Sequence, residues 1–175
     1  MTRRNILSYA WLAMLTLGCN EVENLLKFPI KDQTSLRIQS ASPLNLPLRV
    51  PTPDVTSDSQ QQYENNNTSV NLVKDVRLEE LKLSISAPDS KTFGFLKAVR
   101  VYISTDQNNE IELAHLDDIA SQAKSVALIT TQENLDKYIK APSYDLRTEV
   151  VTRETLTESV DILVDLKFRV TADTF

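Results

Sequence analysis

The stretch "SVDILVDLKFRVTA" (159–172) constrains the fold more than any other part of the chain. Every second residue in it is apolar: Val160, Ile162, Val164, Leu166, Phe168 and Val170. Charged residues fill most of the positions between them: Asp161, Asp165, Lys167 and Arg169. Successive side chains of a β-strand point to opposite faces, so this alternation predicts a long strand with one buried and one solvated face. Strands of this kind are typical of antiparallel sheets.

Other segments repeat the pattern and predict the fold class. Alternation or short apolar runs occur in "LKLSIS", "TFGFLKAVRVYIS", "EIELAHL", "KSVALIT" and "SYDLRTEVVTRET". Segments 95–104 and 109–115 flank an Asp/Asn-rich turn and predict a hairpin. A change of phase at Glu79 and Glu80 predicts a β-bulge. We therefore expect an all-β fold, a two-sheet antiparallel β-sandwich that is immunoglobulin-like in a broad sense.

The remaining segments predict less regular structure. "PLNLPLRVP" alternates, but its three prolines cannot donate ladder hydrogen bonds and confine it to the edge of a sheet. Residues 51–69 are mostly polar and predict a long exposed loop or a weakly held edge strand. One short helix is predicted near 131–140, because Thr130 and Glu133 have the spacing of a capping box.

The N-terminus carries the one cysteine of the chain, Cys19. Arg3 and Arg4 precede a mostly apolar run that ends at Gly18, which is too short to span a bilayer and has the features of a signal peptide. A single cysteine directly after such a run predicts lipidation at Cys19, since two or three acyl chains anchor a protein firmly to a membrane. The predicted domains are a signal peptide over 1–18, a tether over 19–34 and a β-sandwich over 35–175.

The residues before Cys19 resemble a bacterial lipobox, with small Gly18 preceding the thiol. Two longer stretches, 64–119 and 144–175, resemble small uncharacterised envelope lipoproteins of the Bacteroidetes type. That family has no assigned activity, so the resemblance implies no catalytic residue and no cofactor. It implies a lipid-anchored protein. Asn20 rather than Asp follows Cys19, so the signal for inner-membrane retention is absent and an outer-membrane location is favoured. Whether the domain faces the periplasm or the cell surface stays open.

Composition argues against several classes of function. The chain has 24 acidic and 19 basic residues, and loss of Arg3 and Arg4 would bring the net charge to about −7. An acidic chain without a basic stripe repels phosphate backbones, so we expect no nucleic-acid partner. His115 is the only histidine, no GxSxG motif is present, and zinc lacks ligands. We predict that the protein is not an enzyme and has no metal or other cofactor, and that His115 is a partly buried strand residue.

Two sets of residues are candidates for ligand contact. Asp106, Asn108 and Glu110 alternate in a turn, a spacing that can direct oxygens to calcium, although Asp and Asn also favour tight turns for conformational reasons. Tyr102 lies at an outward-facing position of its predicted strand, and Tyr63 lies in the polar segment 51–69. An exposed pair of tyrosines can stack on a sugar ring.

Two functions therefore remain. The first is a non-catalytic structural or protein-interaction module that is bound to the membrane through acylated Cys19 and docks on another envelope protein. The second is a surface lipoprotein that binds a glycan or a small ligand. An exposed apolar patch without a pocket would favour docking, whereas a cleft lined by tyrosines and carboxylates would favour a ligand.

Overall fold

A computed structural model describes residues 25–53, 55–119 and 122–174, and ten strands within them form two antiparallel sheets. The first sheet contains, in spatial order, β1 (Leu26–Ile38), β10 (Val160–Ala172), β4 (Val73–Ala87) and β7 (Ser125–Ala127). The second contains β2 (Pro47–Pro51), β9 (Ser143–Thr152), β5 (Leu96–Ser104), β6 (Ile111–Leu116) and β8 (Ile129–Thr130), with β3 (Val55–Thr56) paired to β9 beside β2. The predicted all-β two-sheet sandwich is confirmed.

The strand order differs from that of an immunoglobulin domain. In immunoglobulin domains the first strand pairs with the second. Here the first strand, β1, pairs along its whole length with the last, β10, from Leu26 opposite Ala172 to Ile38 opposite Val160. The likeness to an immunoglobulin domain therefore lies in the two-layer architecture.

Alternation along β10 builds the core, as its sequence predicted. Seven of its side chains are at most 2% exposed: Val160, Ile162, Val164, Leu166, Phe168, Val170 and Ala172. They pack against buried residues of the second sheet, and Phe168 meets the ring of Tyr144 edge-on at 6.3 Å between centroids. Complete burial of each large apolar side chain contributes about 1.5–3 kcal/mol, so β10 is a main source of stability.

Several register shifts adjust the strands to this core, and two of them bear on the sequence-based predictions. Lys167 lies opposite Glu80 while Phe168 lies opposite Leu78, which leaves Glu79 as the extra residue and confirms the predicted bulge. The predicted hairpin is also confirmed as β5 and β6, but β6 carries a second bulge at Leu113, which the sequence did not indicate.

The bulge in β6 determines which face of the sheet His115 lies on, and His115 is a partly buried strand residue, as predicted. In a regular strand His115 would share a face with Leu113, which is fully buried. Because Val101 pairs with Ala114 and Tyr102 pairs with Glu112, the phase shifts and His115 lies opposite Arg100 on the outer face. It is half-exposed there.

The predicted tether over 19–34 is wrong for residues 26–34, which form the first part of β1. Phe28 and Ile30 are buried on the inner side of this strand. The sequence hid this pattern because Asp32 and Thr34 occupy the next two inner positions and interrupt the apolar alternation. Residues 19–24 lie outside the described part of the chain.

Segment 51–69, predicted as a loop or a weakly held edge strand, contains the short strand β3, which pairs with β9, and a two-turn helix, α1 (Ser59–Asn65), which the sequence did not indicate. Four side chains of this segment are buried and pack it against the sandwich: Val55, Ser59, Tyr63 and Thr68. The Thr68 hydroxyl donates to the Asp173 carbonyl at 2.7 Å and holds the segment against the C-terminal end of β10. Two short 3₁₀ turns, Val70–Leu72 and Phe93–Phe95, lead into β4 and β5.

The predicted helix near 131–140 is confined to α2 (Asp136–Ile139), and its capping box is absent. Thr130 belongs to β8, and the Thr131 hydroxyl donates to the carbonyls of Glu112 and Leu113. An Asn134 side-chain oxygen accepts from the Asp136 amide at 2.9 Å and begins the turn instead. The edge position predicted for "PLNLPLRVP" is confirmed, since β2 pairs with β9 alone.

One polar contact joins the two sheets across the interior. The Tyr144 hydroxyl on β9 donates to an Asp32 carboxylate oxygen on β1 at 2.7 Å. Burial raises the pKa of Asp32 above its ordinary value, and the hydrogen bond from Tyr144 opposes that shift in part. The folded state therefore pays a desolvation cost when Asp32 ionises.

This shift predicts a pH-dependent gain in stability for Asp32→Asn. The cost is absent below the ordinary pKa of an aspartate and complete above the raised folded value, and an asparagine oxygen can still accept from Tyr144. We expect Asp32→Asn to gain on the order of 1 kcal/mol in unfolding free energy relative to wild type between pH 3 and pH 7. Urea unfolding at both pH values measures this change.

Asp89→Asn is the matched control, because the Asp89 side chain is fully exposed. It should differ from wild type by the same small amount at both pH values. If Asp32→Asn lost stability relative to wild type on going to pH 7, the assigned cause of the pKa shift would be wrong.

Candidate functional site

The outer face of the six-stranded sheet brings together several of the residues that the sequence singled out. Tyr102 on β5 lies opposite Arg147 on β9. The Arg147 guanidinium stacks on the Tyr102 ring with 3.9 Å between its central carbon and the ring centroid. One face of this ring is therefore covered by a side chain of the protein itself, and Tyr102 is only half-exposed.

Arg147 is held over the ring by two carboxylates. Its Nε and Nη2 donate to the two oxygens of Glu110 at 2.7 and 2.8 Å, and its Nη1 donates to Glu149 at 3.3 Å. The hydrogen bonds to Arg147 lower the pKa of Glu110. The two-pronged contact fixes both side chains, so the arginine is positioned as part of the sheet surface.

A second charged group lies beside this one, where the bulge in β6 places His115. His115 Nδ1 lies 2.8 Å from a Glu112 oxygen, and Arg100 pairs with Asp117 at 3.1 Å. Arg100 also approaches Glu112 at 3.9 Å. A histidine that bonds a carboxylate needs a nucleophilic hydroxyl or thiol as its next neighbour for triad chemistry. Among the described residues, the side-chain hydrogen bond of His115 is with Glu112, which is a carboxylate and not a nucleophile of this kind.

The turn that was a candidate calcium site is organised by its own side chains. An Asp106 oxygen accepts from the Asn108 amide at 2.7 Å, and the Asn109 side chain bonds Thr105 and Asp106. Glu110 points to Arg147 and is not available to a cation. Glu110 is therefore not directed to a site shared with Asp106 and Asn108, and no group of three or more His, Cys, Asp or Glu side chains that could hold a metal ion occurs in the described ranges.

Tyr63 is not the exposed ligand contact that the sequence suggested. It lies in α1 with 1% exposure, its ring meets Phe28 edge-on, and its hydroxyl donates to the Ile139 carbonyl at 3.3 Å. Tyr138 and Tyr144 are buried too. All four tyrosines in the described ranges thus serve internal contacts, with Tyr102 beneath Arg147.

Exposed apolar side chains lie elsewhere, and sequence reasoning missed them. Leu44 and Leu46 are 44% and 60% exposed and lie in the loop between β1 and β2, flanked by exposed Pro43 and Pro47. We call residues 43–47 the leucine tip. The alternation of Leu44, Leu46, Leu48 and Val50 suggested one buried face, but only Val50 is buried.

The backbone around the leucine tip is held in place by hydrogen bonds. The Ala41 and Asn45 amides donate to the carbonyls of Leu156 and Thr152, both at 2.9 Å. The Thr152 hydroxyl donates to the Pro43 carbonyl at 2.9 Å. The loop is therefore fixed to the last residue of β9 and to the connection between β9 and β10.

Two residues of this loop adopt left-handed backbone conformations. Ala41 has φ 58° and Asn45 has φ 54°. Asparagine tolerates this region, whereas an alanine there costs about 1 kcal/mol or more. Strain of this kind persists where the surrounding structure imposes it, and it is frequent at binding surfaces.

The leucine tip lies at the end of the sandwich remote from Leu26, the first residue of β1. Leu26 and Ile38 begin and end β1, and the loop that bears the tip follows Ile38. At about 3.3 Å per residue, this 13-residue strand separates the two ends by roughly 40 Å. Cys19 lies outside the described residues.

No protein-family model matches the chain, and no curated protein matches it. Among the described residues, no helix has the length and apolar character that crossing a membrane requires.

The pairing of Arg147 with Glu110 predicts a pH-dependent effect of Glu110→Gln. Because the folded pKa of Glu110 is lowered, its contribution to stability is present above the ordinary pKa and is lost as pH falls through the folded value. Both side chains are partly exposed, so we expect a loss of at most about 1 kcal/mol at pH 7 and none at pH 2.5.

Urea unfolding at the two pH values, with Glu133→Gln as the control, tests this expectation. Glu133 is exposed and has no ion pair among the described residues. An equal effect of the two substitutions at pH 7 would contradict the role given to the Glu110 pair.

Proposed function

We propose that this protein is a lipid-anchored envelope protein whose β-sandwich is a non-catalytic protein-interaction module. The leucine tip carries the proposal: two large apolar side chains are displayed on a loop that hydrogen bonds hold in a strained conformation. Apolar anchors that are held rigidly before binding are typical of interface hot spots, since little conformational freedom remains to be lost.

The anchor part of the proposal rests on the sequence. Acylation at Cys19 would attach the chain to the outer membrane, and the start of β1 at Leu26 leaves a short tether. With the membrane at the N-terminal end, the leucine tip would project away from its own bilayer. This arrangement favours a protein partner over the anchoring membrane as the target of Leu44 and Leu46.

Glycan or small-ligand binding is the less favoured function. Sugar sites normally present aromatic rings, and the tyrosines described above are either buried or covered by Arg147. The hollow of about 480 Å³ on the first sheet is lined by charged and polar side chains and by Leu166, without an aromatic residue.

Leu46→Ser should reduce the recovery of a docked partner. The wild-type protein, purified with its anchor from cross-linked native membranes, should bring down one envelope protein at near-equal stoichiometry by mass spectrometry. Leu46→Ser should lower that recovery at least five-fold and change the free energy of unfolding by less than about 0.5 kcal/mol, because the side chain is exposed.

Ile129→Ser is the matched control, since Ile129 is also a large exposed apolar residue, at 58%, but lies on β8. It should leave the recovery unchanged. Recovery of the wild-type protein alone would contradict the docking function.

Cys19→Ala tests the anchor separately. If Cys19 is acylated and becomes the first residue after cleavage, the variant should accumulate as a precursor of higher peptide mass and lack the acyl chains. Intact-protein mass spectrometry of both forms measures this. An identical processed mass for variant and wild type, apart from the substituted atoms, would rule out lipidation at Cys19.

A further inference from the structure

Strand β1 forms an open edge of the first sheet. It pairs with β10 on one side, and no strand pairs with its other side in the part of the chain that the structure describes. Pro29 has no amide hydrogen and lies inside this continuous ladder, so its backbone nitrogen points away from β10. Backbone groups alternate in direction along an antiparallel strand. The same outward direction therefore applies to the amides and carbonyls of Lys31, Gln33, Ser35 and Arg37.

The other long edges of the two sheets are closed or lack donors. On the outer side of β4, the Val76 amide donates to Asp136, and the Leu81 carbonyl accepts from the Leu128 amide. Strand β2 has a proline at each end, and neither proline can donate. Residues 31–37 of β1, by contrast, keep four outward amides with no hydrogen-bond acceptor among the described residues. We call this stretch the β1 edge.

Open space lies beside the β1 edge and leads to the leucine tip. A hollow of about 480 Å³ is bordered by Ser35, Arg37 and Pro53. A second hollow, of about 230 Å³, also begins at Arg37 and reaches Pro43, the first residue of the leucine tip. An extended segment that bound along the β1 edge would therefore run towards the exposed leucines.

The side chains of the β1 edge indicate the charge of such a segment. Every outer position of β1 is basic or neutral, and none carries an acid. Arg37 is already paired with Asp161, whereas Lys31 is exposed and has no ion pair among the described residues. Lysine on an edge strand opposes pairing with a second copy, because like charges on neighbouring strands are destabilising. A strand that carries Asp or Glu opposite Lys31 would gain an ion pair instead.

We propose that the partner of the leucine tip adds an extended segment to the β1 edge as a further strand, with an acidic side chain facing Lys31. This inference rests on the proposed docking function and specifies how the partner is held. In strand addition, main-chain hydrogen bonds supply affinity and side-chain contacts supply specificity. Here the free amides and carbonyls of the β1 edge provide the first, and Lys31 with the leucine tip provides the second.

Amide hydrogen exchange at single-residue resolution distinguishes strand addition from docking through side chains alone. The full chain is exchanged in native envelopes and, separately, after purification in nonionic detergent, and is then fragmented for mass spectrometry. In the purified protein, we expect fast exchange at the amides of residues 31, 33, 35 and 37 and slow exchange at the alternate residues, which bond β10. In native envelopes, the four fast amides should slow by about ten-fold or more.

Ser35→Pro removes one outward amide and leaves the ladder with β10 in place, as Pro29 does. Ser35→Ala is the matched control, because it loses the same hydroxyl and keeps the amide. In the purification from cross-linked envelopes, Ser35→Pro should lower recovery of the partner about five-fold, as expected for one lost hydrogen bond. Ser35→Ala should match wild type in recovery, and both variants should unfold at the same urea midpoint.

Lys31→Glu tests the charge and does not depend on whether Ser35→Pro folds. It should lower recovery of the partner about five-fold, because it places two acids opposite each other. Lys97→Glu is the control, since Lys97 is an exposed lysine of β5 in the other sheet and its replacement changes the net charge equally. It should leave recovery unchanged.

Three results would overturn strand addition while docking stands: unchanged exchange at the four amides in envelopes although Leu46→Ser still lowers recovery, equal recovery with Ser35→Pro and Ser35→Ala, or equal recovery with Lys31→Glu and Lys97→Glu. A cross-linked product made only of two copies of this chain would also overturn it. Recovery of the wild-type protein alone would contradict the docking function itself, so the two failures are distinguishable.

Discussion

The pairing of β10 with β1 on one side and β4 on the other is the constraint on which the rest of the structure depends. The inner side chains of β10 fill the core, and its neighbours β1 and β4 come from the first third and the middle of the chain. These pairings have long sequence separations, so the sandwich forms only when both chain ends come together. The bulge at Glu79 keeps β4 in phase with β10 on the inner face.

The pairing of β1 with β10 also determines where polar groups of β1 can lie. Asp32 falls on an inner position of β1 and is accommodated by Tyr144, and the hydroxyl of Thr68 ties the segment before β4 to the chain end. No buried side-chain nitrogen or oxygen among the described residues lacks a hydrogen-bond partner. Several tyrosines and carboxylates that were candidates for ligand contact take part in internal contacts instead.

The sequence predicted those features that depend on regular alternation. The long strand β10, the hairpin of β5 and β6, the bulge at Glu79 and the edge position of β2 all follow from the period of two and from proline chemistry. Strand β1 was missed in part because Asp32 and Thr34 break its alternation, and Asp32 is accommodated through its hydrogen bond with Tyr144 on the distant strand β9.

Other differences between the predicted and the observed structure also arose from contacts between distant parts of the chain. A capping box at Thr130 looked favourable in sequence, but the chain there pairs with β6 and Thr131 binds its carbonyls. The bulge at Leu113 moved His115 to the outer face without a local signal. The leucine tip had one readable signal: two prolines bracket its leucines, which argues against a regular buried strand.

Docking through the leucine tip can be tested by site-specific photo-cross-linking in native envelopes, with the photoreactive residue placed at position 46 in one variant and at position 129 in another. We expect one discrete adduct with a single envelope protein from position 46, and none from position 129. Absence of an adduct at position 46, or the same adducts from both positions, would contradict a docking function for the leucine tip.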